Sequence, residues 1–305
     1  MRRILIPVVV LAAFATTASA AAAAVDPVPF PAPKVQQVFV AAQTVTTGGA
    51  MASYFAPGGE VVFRAYAADP KTKKLVTADA VKYFYVKIPN QPNVKLAYDA
   101  SAPGASAGFP WTGTWTVPAD YTPGKVFFQV LLKLKDKARG QFVQMPVTSA
   151  MLTVQASPPA VYSPAPASTP GLAATTGDVN LSFYVDSVNG SRPVGVAPRQ
   201  VGCAQTNVYK RGEQVVFRVW GNDLTTTDLL TNDNVDTATA SIPGQKDLTL
   251  SWGAHGNTDA KVYFWTAPWI VPADFPLGDT TVHIAFKTVD GKTGSFDYTL
   301  NIIPS

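Results

Sequence analysis

The chain is poor in the residues that do covalent and metal chemistry. Among 305 residues there is one cysteine, Cys203, and there are two histidines, His255 and His283. A single cysteine excludes an internal disulfide, so stability has to come from buried apolar surface. A blue-copper site needs two histidines, a cysteine and usually an axial methionine. Here Cys203 precedes both histidines, and residues 178–305 contain no methionine. A serine or cysteine hydrolase needs a nucleophile, a base and an orienting acid, and residues 37–155 contain no histidine to act as base. Charge is also scarce, at 14% of residues against 47% hydrophobic. No helical period is visible. After the first twenty residues no apolar run approaches the roughly 20 residues of a membrane-spanning helix. What remains is rich in proline, threonine and valine, a composition that suits strands.

The N-terminus reads "MRRILIPVVVLAAFATTASA". Arg2 and Arg3, a short apolar run from Ile4 to Phe14, and Ala18-Ser19-Ala20 form the three regions of a secretory signal peptide. Residues 1–20 are therefore expected to be removed on export to the periplasm or the extracellular space. Residues 21–36, which include "VDPVPFPAPK", are expected to be a proline-rich stalk.

The rest of the chain is written twice. "WTVPADYTPG" at 115–124 returns as "WIVPADFPLG" at 269–278, and "VVFR" occurs at 61–64 and 215–218. Ile88-Pro89 matches Ile242-Pro243, Trp111 matches Trp265, Gly140 matches Gly294 and Phe142 matches Phe296, every pair 154 positions apart. Such a register marks an internal duplication. Each unit is of ordinary domain size. The first is expected over 37–155 and the second over 178–305. The stretch between them, 156–177, is dominated by proline, alanine and serine and reads as a semi-rigid linker. It offers few residues able to dock the copies, so they are expected to fold separately.

Within each copy the hydrophobic period is two. Val126, Phe128, Val130, Leu132 and Leu134 alternate with Lys125, Gln129, Lys133 and Lys135, and Val282, Ile284 and Phe286 alternate with His283 and Lys287. Each run ends in a turn ("DKARG", "DGKTG") that leads into a last strand. Further strands are expected near 37–43, 60–67, 79–88, 93–99 and 109–117. Their counterparts fall near 179–186, 214–221, 233–241, 247–252 and 263–271. The repeated decapeptide joins the fifth strand to the sixth. Its tryptophan points inward, Pro118 or Pro272 closes the ladder, and Tyr121 or Phe275 plugs the corner. The phrase is scaffold, since it holds no nucleophile and only one carboxylate. This corner and the final hairpin resemble those of immunoglobulin-like and fibronectin-III-like sandwiches, without the paired cysteines of antibody domains. The resemblance implies an all-β chain of two tandem antiparallel immunoglobulin-like β-sandwiches.

Carboxylates are the remaining candidates for chemistry. Those shared by both copies are Asp69/Asp223, Asp79/Asp233, Asp120/Asp274 and Asp136/Asp290, all in turns or at strand ends where aspartate caps backbone groups. "NDLTTTDLLTNDNVD" at 222–236 offers Asp223, Asp228, Asp233 and Asp236, with Asn232 and Asn234, as hard oxygen ligands for calcium, in a spacing that fits no EF-hand loop. Calcium is the one cofactor for which the sequence supplies candidate ligands.

Charge divides unevenly. Residues 37–155 carry 12 basic and 6 acidic side chains, a net +6, and residues 178–305 carry 9 and 13, a net −4. Lys71, Lys73 and Lys74, in the loop after the second strand, and Lys137 and Arg139, in the last hairpin, should gather at one end of an immunoglobulin-like sandwich as a partner-binding tip. The aromatic-basic interleaving of nucleic-acid modules is absent. The expectation is a non-enzymatic exported binding or structural protein of the bacterial envelope, with a protein or an envelope polymer as partner. One alternative is an accessory or catalytic partner of an exported, carbohydrate-acting enzyme, whose sign would be a row of exposed Trp and Tyr along one sheet. The other is a calcium-dependent adhesion module.

Overall fold

A computed structural model of the chain describes residues 38–99, 109–144, 151–162, 180–255 and 261–305. The expected signal peptide (1–20), stalk (21–36) and residues 163–177 of the linker lie outside the described residues. The first copy runs through β1 (Phe39–Val45), β2 (Tyr54–Phe55), β3 (Glu60–Asp69), β4 (Lys74–Leu75), β5 (Val81–Lys87), β6 (Val94–Lys95), β7 (Ala97–Tyr98), β8 (Trp111–Thr116), β9 (Gly124–Lys125), β10 (Gln129–Leu134), β11 (Arg139–Val143) and β12 (Thr153–Val154). The second comprises β13 (Leu181–Asn189), β14 (Val208–Lys210), β15 (Gln214–Asp223), β16 (Val235–Ser241), β17 (Leu248–Thr249), β18 (Ser251–His255), β19 (Val262–Ile270), β20 (Gly278–Thr288) and β21 (Thr293–Ile303).

Both copies are immunoglobulin-like sandwiches. In the first, the sheet β1-β3-β8-β7, with β4 added to β3, faces the sheet β11-β10-β5-β6, and a short ladder β2-β12-β9 completes the barrel-like edge. In the second, β13-β15-β19-β18 faces β14-β21-β20-β16-β17. The short strands β2 and β14 each run parallel to the last strand of their own copy. They went unforeseen because two or three residues are too few to show a period. The stretch expected as one strand over 93–99 breaks at Leu96. β6 pairs with β5 and β7 with β8, so the chain changes sheets at this buried residue.

Alternation decides what is inside. Val126, Phe128, Val130, Leu132 and Leu134 are all buried while Lys125 and Lys135 are exposed; Gln129 departs from the pattern and is buried. The repeated corner has the same geometry twice. Trp115 and Tyr121 meet edge-to-face at 5.5 Å and 78°, and Trp269 and Phe275 at 5.0 Å and 75°. The turns close by Tyr121 N–H donating to Pro118 C=O and Phe275 N–H to Pro272 C=O, at 3.0 and 3.1 Å. The indoles one strand-length away are anchored in parallel, Trp111 to the Val76 carbonyl and Trp265 to the Leu230 carbonyl, at 3.1 and 2.9 Å.

The copies are docked against each other, an arrangement the linker's composition did not indicate. The Tyr66 hydroxyl donates to the Phe183 carbonyl and accepts from the Phe183 N–H. Tyr66 stacks on Phe296 at 6.0 Å, and Phe142 lies 5.4 Å from Tyr184. Tyr184, Trp220 and Phe264 join the apolar cluster of the first copy, and Val45 and Met51 join that of the second. Each large side chain buried this way stabilises by roughly 1.5–3 kcal/mol.

The docking is pseudo-symmetric. Met51 N–H donates to Asn207 Oδ1 at 2.8 Å, and Gln205 N–H donates to Ser53 Oγ at 3.4 Å. Met51 and Gln205 are 154 positions apart, and so are Ser53 and Asn207. Each copy therefore presents the same patch to the other, which is the mark of a two-fold contact. One departure breaks the symmetry. Val45 and Val188 pair with Val62 and Val216, which are 154 apart, yet Val45 and Val188 are themselves only 143 apart. The loop after the first strand is thus 11 residues longer in the second copy.

Candidate functional site

The pseudo-two-fold axis passes beside a cleft of about 310 Å³. Two of its walls are equivalent segments, Met51–Tyr54 of the first copy and Ala204–Thr206 of the second. The others break the symmetry: Pro159–Tyr162 from the linker, and Val196–Val201 from the lengthened loop. Apolar surface dominates the lining, and clefts of this size between packed units are where small ligands are commonly held.

Charge in the cleft is arranged around Tyr162. The Arg199 guanidinium lies 4.4 Å from the Tyr162 ring centre and 5.2 Å from that of Tyr209. It donates to both carboxylate oxygens of Glu213, at 2.8 and 2.6 Å, and to the Val208 carbonyl at 2.6 Å. Burial works to lower the Arg199 pKa, but the bonds and charge of Glu213 outweigh it and hold the guanidinium above its usual value. Arg199 is therefore a satisfied structural cation that braces the loop. Lys210 differs. Its ammonium lies 5.0 Å from the Tyr162 ring and forms no ion pair among the described residues. The cleft thus combines one uncompensated cation, an aromatic face and apolar walls. That set can hold a small amphipathic molecule by a polar or anionic group. The sequence reading missed Arg199, Lys210, Glu213 and Tyr162. The available signal was the lengthened loop itself, with Arg192, Arg199, Pro193 and Pro198 in a stretch the first copy lacks.

The calcium candidates are not brought together. Asp223 is buried, accepts from Thr225 N–H and Oγ1 at 2.7 and 2.6 Å, and pairs with Lys292 at 2.6 Å. Burial raises its pKa, but the bonds from Lys292 and Thr225 outweigh this and leave it below the usual carboxylate range. Asp236 pairs with Lys287 at 3.3 Å, and Asp228 and Asp233 are exposed. Among the described residues no three His, Cys, Asp or Glu side chains are grouped to hold a metal ion.

The five basic residues sit on or beside two turns, after β3 and between β10 and β11. Lys71 reaches Asp136 at 3.8 Å, which joins the loop after β3 to the β10–β11 hairpin. Lys71, Lys74, Lys137 and Arg139 are exposed and Lys73 is partly so. In the second copy Lys292 bridges Asp223 and Asp290 at 2.6 and 2.8 Å and ties the same two loops. Trp111, Trp115, Trp265 and Trp269 are core residues. Two exposed tyrosines each sit beside a partly buried ring rather than in a row: Tyr263 beside Trp252 at 6.1 Å, and Tyr83 beside Tyr85 at 5.3 Å.

No family model matches the chain, and no curated protein matches it. Among solved structures it is similar to SGBP-B of the Bacteroides ovatus mixed-linkage glucan utilization locus, in complex with a mixed-linkage heptasaccharide. There the identity is 11%, covering 83% of this chain and 43% of that one, at a TM-score of 0.18. It is also similar to dimeric latent PorU from Porphyromonas gingivalis, at 12% identity, 87% and 24% coverage and a TM-score of 0.24. A third is protocadherin gamma B7, extracellular cadherin domains 1–4, at 11% identity, 81% and 73% coverage and a TM-score of 0.21. The chain spans less than half the length of the first two. The immunoglobulin-like assignment rests on the chain's own strand order. No helix of the described residues is long and apolar enough to cross a membrane.

Proposed function

We propose that the protein is a non-enzymatic, exported binding protein of the bacterial envelope whose docked sandwiches hold a small ligand, or a small group of a larger partner, in the cleft beside their pseudo-two-fold axis. The observation that supports this reading is the wall composition. Equivalent segments of both copies supply the symmetric part, the segments that differ between the copies supply Tyr162 and Arg199, and Lys210 stands at the end of β14 where the first copy has Ala56. Recognition commonly lies in loops carried by a rigid scaffold. The test is capture of envelope components by the purified protein and by Ala197→Trp, which fills the cleft from its exposed rim. Bound material should fall at least tenfold. Equal capture by the two proteins would remove the cleft as the binding site.

The basic tip supports a second contact, with a polyanionic envelope polymer or an acidic protein. Its cations are gathered by the two loops that Lys71 and Asp136 join. Exposed charge is screened over a Debye length of about 8–10 Å near physiological salt and acts mainly on encounter. Reversing Lys73, Lys74 and Arg139 to Glu should slow association at low salt and leave dissociation nearly unchanged. An association rate indifferent to both salt and reversal would leave these residues as solubilising surface only.

A further inference from the structure

Arg64 and Arg218 occupy the same place in the two copies, each ending the shared "VVFR". Both project from the outer face of their sheet into the interface, and each has a cross-strand neighbour on the first strand. For Arg218 that neighbour is Asp186, and for Arg64 it is Gln43. Asp186 and Arg218 form a closed pair. Arg218 Nε donates to Asp186 Oδ1 at 2.6 Å and Nη2 to Oδ2 at 2.5 Å, while Tyr184 Oη and Gln205 Nε2 also donate to Oδ2, at 3.0 and 2.7 Å. The first copy has the cation without the carboxylate. Arg64 makes no ion pair among the described residues, its Nε is buried without a partner, and so is Gln43 Oε1.

We infer that Arg64 and Gln43 form, with the facing edge of the second copy, a binding site for one small monovalent anion of halide size. A cavity of about 30 Å³ opens at Arg64, between Gln43, Gly49 and Met51 on one side and Asn207, Asp297 and Thr299 on the other. By this measure one water needs about 10–15 Å³, so the space takes a single halide and excludes phosphate, sulfate and organic carboxylates. Donors surround it. Arg64 contributes its guanidinium. Asn207 Oδ1 is engaged by Met51 N–H, which leaves Nδ2 to donate. Thr299 contributes a hydroxyl, and a half-turn of the Gln43 amide presents Nε2 where Oε1 now lies. Asp297 is the one carboxylate among the lining residues, and its Oδ1 is held by His283 Nδ1 at 2.6 Å. Burial pulls the Arg64 pKa below its usual value, the direction of a cation short of compensation. A halide here does for Arg64 what Asp186 does for Arg218, at the seam between the copies, so it would tie the docking to external salt. This site shares only Met51 with the lining of the cleft and stands whether or not the cleft binds a ligand.

The test exchanges chloride for gluconate at constant ionic strength and follows thermal unfolding. The wild-type Tm should be higher in chloride by about 2–4 °C at tenfold saturation, because a ligand that binds only the folded state stabilises it by mass action. Gln43→Asp should lose the difference, since the new carboxylate takes the guanidinium as Asp186 takes its own. A wild-type Tm independent of the anion, or an undiminished chloride shift in Gln43→Asp, would overturn the proposal. If Gln43→Asp does not fold, ³⁵Cl NMR decides. Chloride linewidth broadened by wild type should fall with Arg64→Met, and broadening unchanged by that substitution would equally sink the site.

Discussion

The outer faces of the two copies carry the same arginine and treat it in opposite ways. Around Arg218 the second copy has built a full shell: Asp186 as bidentate acceptor, Tyr184 and Gln205 on the same carboxylate, and the rings of Trp220 and Phe264 at 5.6 and 5.8 Å from the guanidinium. Around Arg64 the first copy has Gln43, and Tyr66, the counterpart of Trp220, spends its hydroxyl on Phe183 across the seam. A two-fold contact between duplicated units has two equivalent halves, and here only one of them is closed internally by an ion pair. The other is free to depend on something external. The comparison teaches that identity between repeats, as at "VVFR", reports backbone position and says little about electrostatic role.

Breaking the closed side should have the largest effect. Removing one partner of a buried ion pair strands the other charge, at a cost of about 3–5 kcal/mol. Asp186→Ala should lower the unfolding free energy by that amount in denaturant titration, because Asp186 and Arg218 are both almost fully buried. The equivalent Gln43→Ala removes no formal charge and should cost about 1 kcal/mol or less, within the ordinary range for point substitutions. Similar losses in the two variants would mean that the copies are electrostatically alike. The double variant Asp186→Leu, Arg218→Met sharpens the point. Replacing a whole buried pair by apolar residues is often neutral, so it should recover most of what Asp186→Ala loses.

The sandwich itself was legible from the sequence because alternation is a local property. Val126 to Leu134 show the buried face directly, and Trp115 with Tyr121 explains the repeated phrase within one turn. The docking was not read, although part of it is written locally. Leu181–Asn189 is buried at all nine positions, and "LSFYV" lacks the polar alternation of a half-wet strand, as expected for a strand covered on both sides. Trp220, next but one after Arg218, is a second sign. What no linear reading supplies is the partner. Phe142 and Phe296 look like core residues by register, yet each meets a tyrosine of the other copy, Tyr184 and Tyr66. The cleft was hidden for a related reason. Its distinctive walls come from the segments that fall outside the 154-residue register, so a reading anchored on the repeat passed over them. The acidic set 223–236 shows how little sequence proximity says about where side chains meet. Asp223 and Asp236 are close in sequence to other acids, but Asp223 is paired with Lys292 from the β20–β21 turn and Asp236 with Lys287 from the neighbouring strand β20.

The smallest predicted effect belongs to the second copy alone and distinguishes the faces by pH. His255, at the end of β18, stacks on Phe264 at 4.1 Å and 17°. Burial, and then the positive charge of Arg218, lower its pKa. A histidine whose folded pKa lies below its unfolded value of about 6.5 binds fewer protons in the folded state. Stability is therefore full above that unfolded value and declines as pH falls through it toward the lower folded pKa. The outer face of the first copy has no histidine, so this decline should come from the second copy's face. The depressed carboxylates Asp223 and Asp290 act in a separate window: their stabilisation is present above about 4 and is lost only as pH falls below it. Between pH 7 and 5 the wild-type Tm should fall modestly, and His255→Gln should flatten part of that fall. His283 is the second copy's other histidine and lies 2.6 Å from Asp297 on the face of β20 and β21, so His283→Gln is the necessary control. If His255→Gln tracks the wild-type curve through this window while His283→Gln alters it, the pH response lies on the outer strands of the second sandwich and not on the face that holds Arg218.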